Sequence, residues 1–263
     1  MVHCGNRFAA PFAFGSLPVN PIILIPARMA STRLPGKPLA VIGGRQMILH
    51  VLDRAREAAI GPAAVAAGEP EIVAAIEADG GTAVLVADDV PSGTDRIHLA
   101  LRALDPEARH DAVINLQGDL PTLPAALLRT LLGALEDSNA DIATLVAPIT
   151  TDAEAAASQV VKCACAFPPG VAVAPALYFS RLPIPWGDGP RYHHIGVYAY
   201  RRAALERFVT LPASPLELRE KLEQLRALEA GMRIVAALVD HAPFGVDTPE
   251  DLERARTALG QHP

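Results

Sequence analysis

The feature that most limits the fold of this chain is a regular alternation, through its first two-thirds, of short aliphatic runs with amphipathic stretches. The runs Ile22–Pro26, Ala63–Ala67, Thr82–Ala87, Asp111–Leu116 and Ile142–Pro148 have strand length. Helical segments are predicted between them at Gln46–Ile60, Glu69–Asp79, Thr94–Leu104 and Pro124–Glu136. In the first of these, Ile48, Leu49, Leu52, Ala55, Arg56 and Ala59 approximate one face of a 3.6-residue period. Strands alternating with helices imply βαβ units and an α/β fold with a mostly parallel sheet.

The pattern changes over residues 159–200. VVKCACAF, APALYFS and HIGVYAY read as short strands joined by the Pro/Gly-rich PIPWGDGP, which suggests an antiparallel insertion or arm. Helices are expected again at Ala203–Val209 and Pro215–Gly231, the latter opening with Ser214 as cap and Pro215 at the first helical position. A strand at Arg233–Val239 precedes DTPEDLERARTAL, where Asp247 or Thr248 can cap a helix and Pro249 can start it.

Composition narrows the function classes. A net charge of -6 argues against a nucleic-acid surface, which needs clustered Lys and Arg. No apolar run reaches membrane-spanning length. Residues 1–20 carry one Arg and an apolar patch broken by Pro11, too short for a signal peptide and expected to be a poorly ordered extension. The odd set Cys4, Cys163 and Cys165 lacks a disulfide framework, so a reducing, cytoplasmic setting is expected. Cys163 and Cys165 read as a metal or redox pair or, better, as two small buried apolar residues.

Open α/β sheets bind ligands at the carboxyl ends of their strands. PARMASTRLPGKPL, from Pro26, begins at the end of the first strand. A Walker loop would need Gly at 31 and Ser or Thr at 38, where this chain has Ser31 and Pro38, and no G-x-G-x-x-G follows a strand. Arg28, Arg33 and Lys37 lie within ten residues. Three cations so close suit an anion between them, with Arg matching phosphate geometry. A solvated basic loop is the plainer alternative.

Four more stretches bear on chemistry. NLQGDLP sets Asp119 after a strand and Gly118, either as a turn residue or as a carboxylate able to hold Mg2+ beside phosphates. FGVDTPEDL sets Asp247 after a strand and a glycine, as an N-cap or as a second metal carboxylate. SGTDRI offers Ser92, Gly93 and Thr94 at a helix start, as a cap or as a phosphate or base contact. Last, Arg181, Trp186, His193, His194, Tyr198, Glu217, Glu223 and Gln224 form a later group. His194 and Tyr198 would share a strand face, where a lone histidine is most often a satisfied structural residue, and Glu223-Gln224 read equally as the solvated face of a helix.

IPARMASTRLPGKPL, SGTDRI, NLQGDLP, LYFSRLPIPW, HHIGVYAYRR, SPLELREKLEQLRALEAG and GVDTPEDL, in this order, closely resemble the 3-deoxy-manno-octulosonate (Kdo) cytidylyltransferases, from about Ile22 to Leu259. The first motif is shared in outline with other cytidylyltransferases, whereas the Trp186, HHIGVYAY and LEQLRALE motifs are more specific to the Kdo enzymes.

The resemblance implies a Rossmann-like nucleotidyltransferase sheet with an antiparallel dimerisation arm, and a homodimer. It implies CTP and Kdo as substrates, Mg2+ as cofactor, and CMP-Kdo and pyrophosphate as products in lipopolysaccharide synthesis. Carried over by motif, Arg28, Ser31, Thr32, Arg33 and Lys37 would contact the nucleotide, with Ser92, Gly93 and Thr94 near it. Asp119 and Asp247 would hold the metal, and Lys37, Arg28, Asp119 and Asp247 would carry catalysis. Gln117, Arg181, Trp186, His194, Tyr198, Glu223 and Gln224 would line the Kdo side.

The expected organisation is one domain over 21–263, with a CTP-binding half at 21–150, a sugar-acid and dimerisation half at 151–240, and a closing metal loop and helix at 241–263. The chain departs from the family at Leu120, where many members are acidic, at Ala67-Gly68, where many have Thr-Asp, and in its short loop before HHIG. Another acidic sugar, 8-amino-Kdo or a sialic acid, is the nearest alternative substrate. A catalytically silent nucleotide-binding protein is the alternative from another class.

Overall fold

A computed structural model describes residues 19–87 and 89–260. The chain runs β1 (Pro21–Ala27), a 3-10 turn (Lys37–Leu39), β2 (Val41–Ile42), β3 (Arg45–Gln46), α1 (Met47–Ala58), β4 (Ala63–Ala67), α2 (Pro70–Ala78) and β5 (Ala83–Leu85). There follow α3 (Gly93–Leu104), β6 (Ala112–Asn115), α4 (Ala125–Glu136), β7 (Ile142–Pro148) and α5 (Asp152–Ala156). The later part holds β8 (Lys162–Ala164), β9 (Val173–Pro175), β10 (Tyr178–Ser180), β11 (Tyr192–Arg201), α6 (Arg202–Thr210), α7 (Pro215–Glu220), α8 (Gln224–Glu229), β12 (Ile234–Leu238) and α9 (Pro249–Gly260). The expected extension at 1–20 lies outside the described residues up to residue 18.

One sheet takes the order β5-β4-β1-β6-β11-β7-β12-β9, with β8 on β11 and β10 on β8. β5, β4, β1 and β6 are mutually parallel, as the alternating pattern predicts. Alternate β1 side chains enter two cores. Ile23 and Ile25 pack with α1, α2 and α4 on one face, and Ile22 and Leu24 with α3, α6 and α8 on the other. A strand covered on both faces must be apolar at successive positions, which is why β1 reads as an unbroken aliphatic run.

Two expectations need correction. HIGVYAY does not lie on a peripheral arm. As β11 it enters the middle of the sheet, antiparallel to both β6 and β7, with a register shift between Ile195 and Tyr198. β8 and β10 form an outlying antiparallel piece, and β9 pairs antiparallel with β12 at the sheet edge. The helix expected at Pro215–Gly231 is broken, because Lys221 adopts a left-handed φ of 56° and ends α7. The periodic sequence continues through the break, so the pattern hides it. Beyond the break, Glu223 is half-buried and Gln224 is buried, so neither forms a solvated face.

A small separate core fixes the last segment. Ile42 and Met47 pack against Val246, Leu252 and Ala255, holding α9 beside the β2–β3 hairpin. Cys163 and Cys165 are buried free thiols in the second large core, as their small apolar character suggests.

Candidate active site

β1 and β6 are parallel neighbours, with Leu24 opposite Asn115. The chains leaving their carboxyl ends therefore start side by side. Gly118 is required there: a Cβ on it would lie 2.8 Å from the Pro26 carbonyl oxygen. From β1 the loop 28–36 leads to the 3-10 turn that begins at Lys37, with Gly36 at φ 71° making the approach. Together these segments enclose a cavity of about 420 Å³. Arg28, Ser31, Thr32, Arg33 and Lys37 line it from one side, and Gln117, Gly118 and Asp119 from another.

The third wall comes from α3, through Ser92 and Gly93. Ser92 is a true N-cap, its Oγ accepting from the backbone N–H groups of Thr94 at 3.1 Å and Asp95 at 3.2 Å. The cap reading and the site reading thus both apply to Ser92.

Asp247 arrives from far along the chain. The Val246 N–H donates to the Asp119 carbonyl at 2.9 Å and splices the closing segment onto the β6 loop. Thr248, not Asp247, caps α9, its Oγ1 accepting from Asp251 N–H at 3.2 Å. The Asp247 carboxylate is thereby left for the loop cations. It accepts from Arg33 Nη2 at 2.9 Å and from Lys37 Nζ at 3.0 Å, while Lys37 also donates to Asp119 Oδ2 at 2.9 Å. Burial alone would lower the Lys37 ammonium, but Asp119 and Asp247 beside it hold it above the usual lysine value.

The later residues divide. Gln117 is in the cavity wall, its Nε2 donating to Asn115 Oδ1 at 3.0 Å. Glu223 Oε2 accepts from Thr94 Oγ1 at 2.8 Å, and burial raises its carboxyl above the usual range. His194 is a core histidine: it meets Thr144 Oγ1 at 3.1 Å and stacks edge-on against Phe179, and burial pulls it down to about 3, so it is neutral. Tyr198 lies 5.5 Å from it, ring to ring, also buried. Arg181 is spent on backbone carbonyls, donating to Glu220 and Lys221 across the α7 break and to Ser158. Trp186 is 99% exposed and is not among the residues lining the cavity. Glu217, in the same sequence group, completes a capping box with Ser214 and pairs with Arg226 at 2.5 Å.

Two residues inside quoted motifs escaped the sequence reading. Arg96 of SGTDRI is buried in the cavity wall and donates to the Val86 carbonyl. Asn115 of NLQGDLP is 1% exposed at the end of β6. An arginine on an amphipathic helix reads as solvated, and an Asn at a strand end reads as turn-forming, so neither carried a signal.

A largely exposed basic loop facing two carboxylates at the carboxyl end of a parallel sheet suits anionic nucleotides. Residues 22–234 match the family model described as cytidylyltransferase. The chain is 58% identical over 242 residues to the 3-deoxy-manno-octulosonate cytidylyltransferase of Parvibaculum lavamentivorans, covering 92% of this chain and 93% of that one. It is 61% identical over 239 residues to the enzyme of the same name from Rhodopseudomonas palustris, covering 91% and 97%. A solved structure of CMP:2-keto-3-deoxy-manno-octonic acid synthetase complexed with CTP superposes with a TM-score of 0.83 at 40% identity, covering 92% of this chain and 99% of that one. The chain belongs to the cytidylyltransferase family, on the branch of the 3-deoxy-manno-octulosonate cytidylyltransferases.

Proposed function

We propose that this chain transfers the cytidylyl group of CTP to the anomeric hydroxyl of Kdo, giving CMP-Kdo and pyrophosphate. The observation that carries the reading is the convergence of Arg28, Arg33, Lys37 and Asp119 on one cavity, with Asp247 bonded to Arg33 and Lys37, in a chain so close to Kdo cytidylyltransferases. The sugar hydroxyl attacks the α-phosphorus in line as pyrophosphate leaves. Positioning and charge neutralisation carry such a transfer, and no protein nucleophile is needed. Arg28, Arg33 and Lys37 bind the phosphates and offset charge growing on the leaving group. Ser31, Thr32, Ser92, Gly93 and Thr94 orient the nucleotide. Gln117 and Glu223 face the sugar acid, and buried Arg96 stiffens the nucleotide wall.

The donor set fits Mg2+. Asp119 and Asp247 already converge on one cation, the Lys37 ammonium, with hard oxygen ligands. Among the described residues no group of three His, Cys, Asp or Glu could hold a metal alone, so phosphate oxygens would complete the shell. Bound there, Mg2+ would neutralise phosphate charge and lower the pKa of the attacking hydroxyl.

The same reading extends to assembly and setting. Leu177, Leu182, Trp186 and Leu218 are exposed apolar side chains near β10 and α7, which suits burial by a second copy in a homodimer. The single sheet drawing on both halves supports one domain over 21–263. CTP as substrate and free buried thiols fit a cytoplasmic enzyme that feeds lipopolysaccharide synthesis.

The test is pyrophosphate release from CTP with Mg2+ and a panel of sugar acids. Kdo is expected to give the highest kcat/KM. Preference for 8-amino-Kdo or a sialic acid would move the substrate assignment, and CTP binding without release for any acid would overturn the enzyme reading.

A further inference from the structure

The sheet interior at the end of β6 is aliphatic, yet it holds a buried amide. Asn115 pairs across the sheet with Leu24 on one side and Tyr198 on the other. Burying an amide in such surroundings is unfavourable unless both its ends are bonded. Both are, and both bonds lead to the site. Asn115 Oδ1 accepts from Gln117 Nε2 at 3.0 Å, and Asn115 Nδ2 donates to Thr94 Oγ1 at 3.4 Å. Thr94, 2% exposed, in turn donates to Glu223 Oε2 at 2.8 Å.

The direction of the chain is set at its far end. Thr94 Oγ1 donates to Glu223 Oε2 and is left to accept from Asn115 Nδ2. That fixes the Asn115 amide with its oxygen toward Gln117, and so fixes which end of Gln117 is used internally. The other oxygen of Glu223, Oε1, is buried with no hydrogen bond among the described residues.

We propose that Asn115 is a positioning residue, locking Gln117 in the cavity wall to Glu223 beyond α7 through Thr94, so that both meet the sugar acid in one fixed arrangement. It deepens the reading given above, on which it rests for the identity of the sugar.

Asn115→Leu tests it, since Leu matches the residue in size and suits the aliphatic surroundings. The variant is expected to raise KM for Kdo roughly tenfold while KM for CTP stays within about twofold. Thr94→Val should likewise raise KM for Kdo, and Thr94→Ser should restore the wild-type value. Asn115→Leu combined with Glu223→Gln should be no worse than the poorer single change. A second measurement needs no turnover. The Gln117 side-chain amide signals in 1H–15N spectra should shift in Glu223→Gln, three bonds along the chain. Unchanged Gln117 signals, or equal rises in both KM values, would overturn the proposal. A wild-type enzyme inactive on Kdo would instead sink the substrate reading, while the spectra would still decide the role of Asn115.

Discussion

Asp119 and Asp247 share a single ammonium, with Lys37 Nζ 2.9 Å from the first and 3.0 Å from the second. The Val246–Asp119 backbone bond keeps the two carboxylates together even though they come from opposite ends of the fold. Two carboxylates this close repel unless a cation lies between them. Removing either one should therefore unbalance the site without unfolding the sheet. Asp119→Ala is expected to cut kcat of CMP-Kdo formation by about a hundredfold or more, at saturating CTP and Mg2+. Near-normal turnover in that variant would refute the metal assignment.

Lys37 occupies the position between the carboxylates, so it competes with a divalent ion for them. Lys37→Met should bind Mn2+ roughly tenfold more tightly than the wild type without nucleotide, as read by electron paramagnetic resonance titration. Its turnover should nevertheless fall, because the phosphates lose a cation. Weaker Mn2+ binding in the variant would show that Lys37 helps hold the metal site rather than competing for it.

Gly118 has no room for a side chain, since its Cβ would meet the Pro26 carbonyl at 2.8 Å. Backbone cannot yield as a flexible side chain would. Gly118→Ala should push the Gln117–Asp119 loop away from β1, at a cost of about 1–3 kcal/mol in stability. Thermal unfolding with CTP titration checks this: weaker CTP binding should accompany the lower midpoint.

Asp105 supports the scaffold rather than the site. Burial would raise its carboxyl, but backbone N–H groups of His110 and Arg109, with Arg202 at 2.6 Å, hold it at about 2. A depressed value means stabilisation that is complete above the ordinary carboxylate pKa and lost as pH falls toward about 2. Asp105→Ala, which leaves Arg202 unpaired, should lower the unfolding midpoint at pH 7 by roughly 6–12 °C. The gap between variant and wild type should close in acid. A constant gap from pH 7 to about pH 2 would show that packing, not charge, is what the residue contributes.

The exposed Trp186 tests the homodimer. Trp186→Asp should halve the mass seen by sedimentation at micromolar concentration, if a second copy covers that side chain. An unchanged sedimentation coefficient would move the interface elsewhere.

The parallel half of the fold was legible because β1, β4, β6 and β7 are buried on both faces, and such strands are written as aliphatic runs. The position of β11 was not, because strand composition says nothing about which neighbours a strand chooses. The α7–α8 break was hidden because Lys221 takes a left-handed conformation without a glycine to mark it. In the site, Arg28, Arg33 and Lys37 were readable as a cationic cluster next to a strand end. Their meeting with Asp119 was inferred from strand ends alone, and that with Asp247 depends on the small Ile42–Val246–Leu252 core, a contact between distant segments that periodicity cannot express. His194, which the resemblance puts on the Kdo side, has Thr144 and Phe179 as neighbours inside the core.

The central place of β11 has a consequence for how the protein is made. β6 and β7 emerge during synthesis well before the strand that joins them, and each waits with a bare inner edge. A nascent or truncated chain ending near Ser180 would carry the β5-β4-β1-β6 half-sheet with one bare edge, and a β7 still without either neighbour because β12 also comes later. Such edges invite pairing with other chains, so slow elongation through residues 181–201 should favour aggregation over yield. Conditions that hasten delivery of that one strand should matter more to soluble production than any change on the protein's surface.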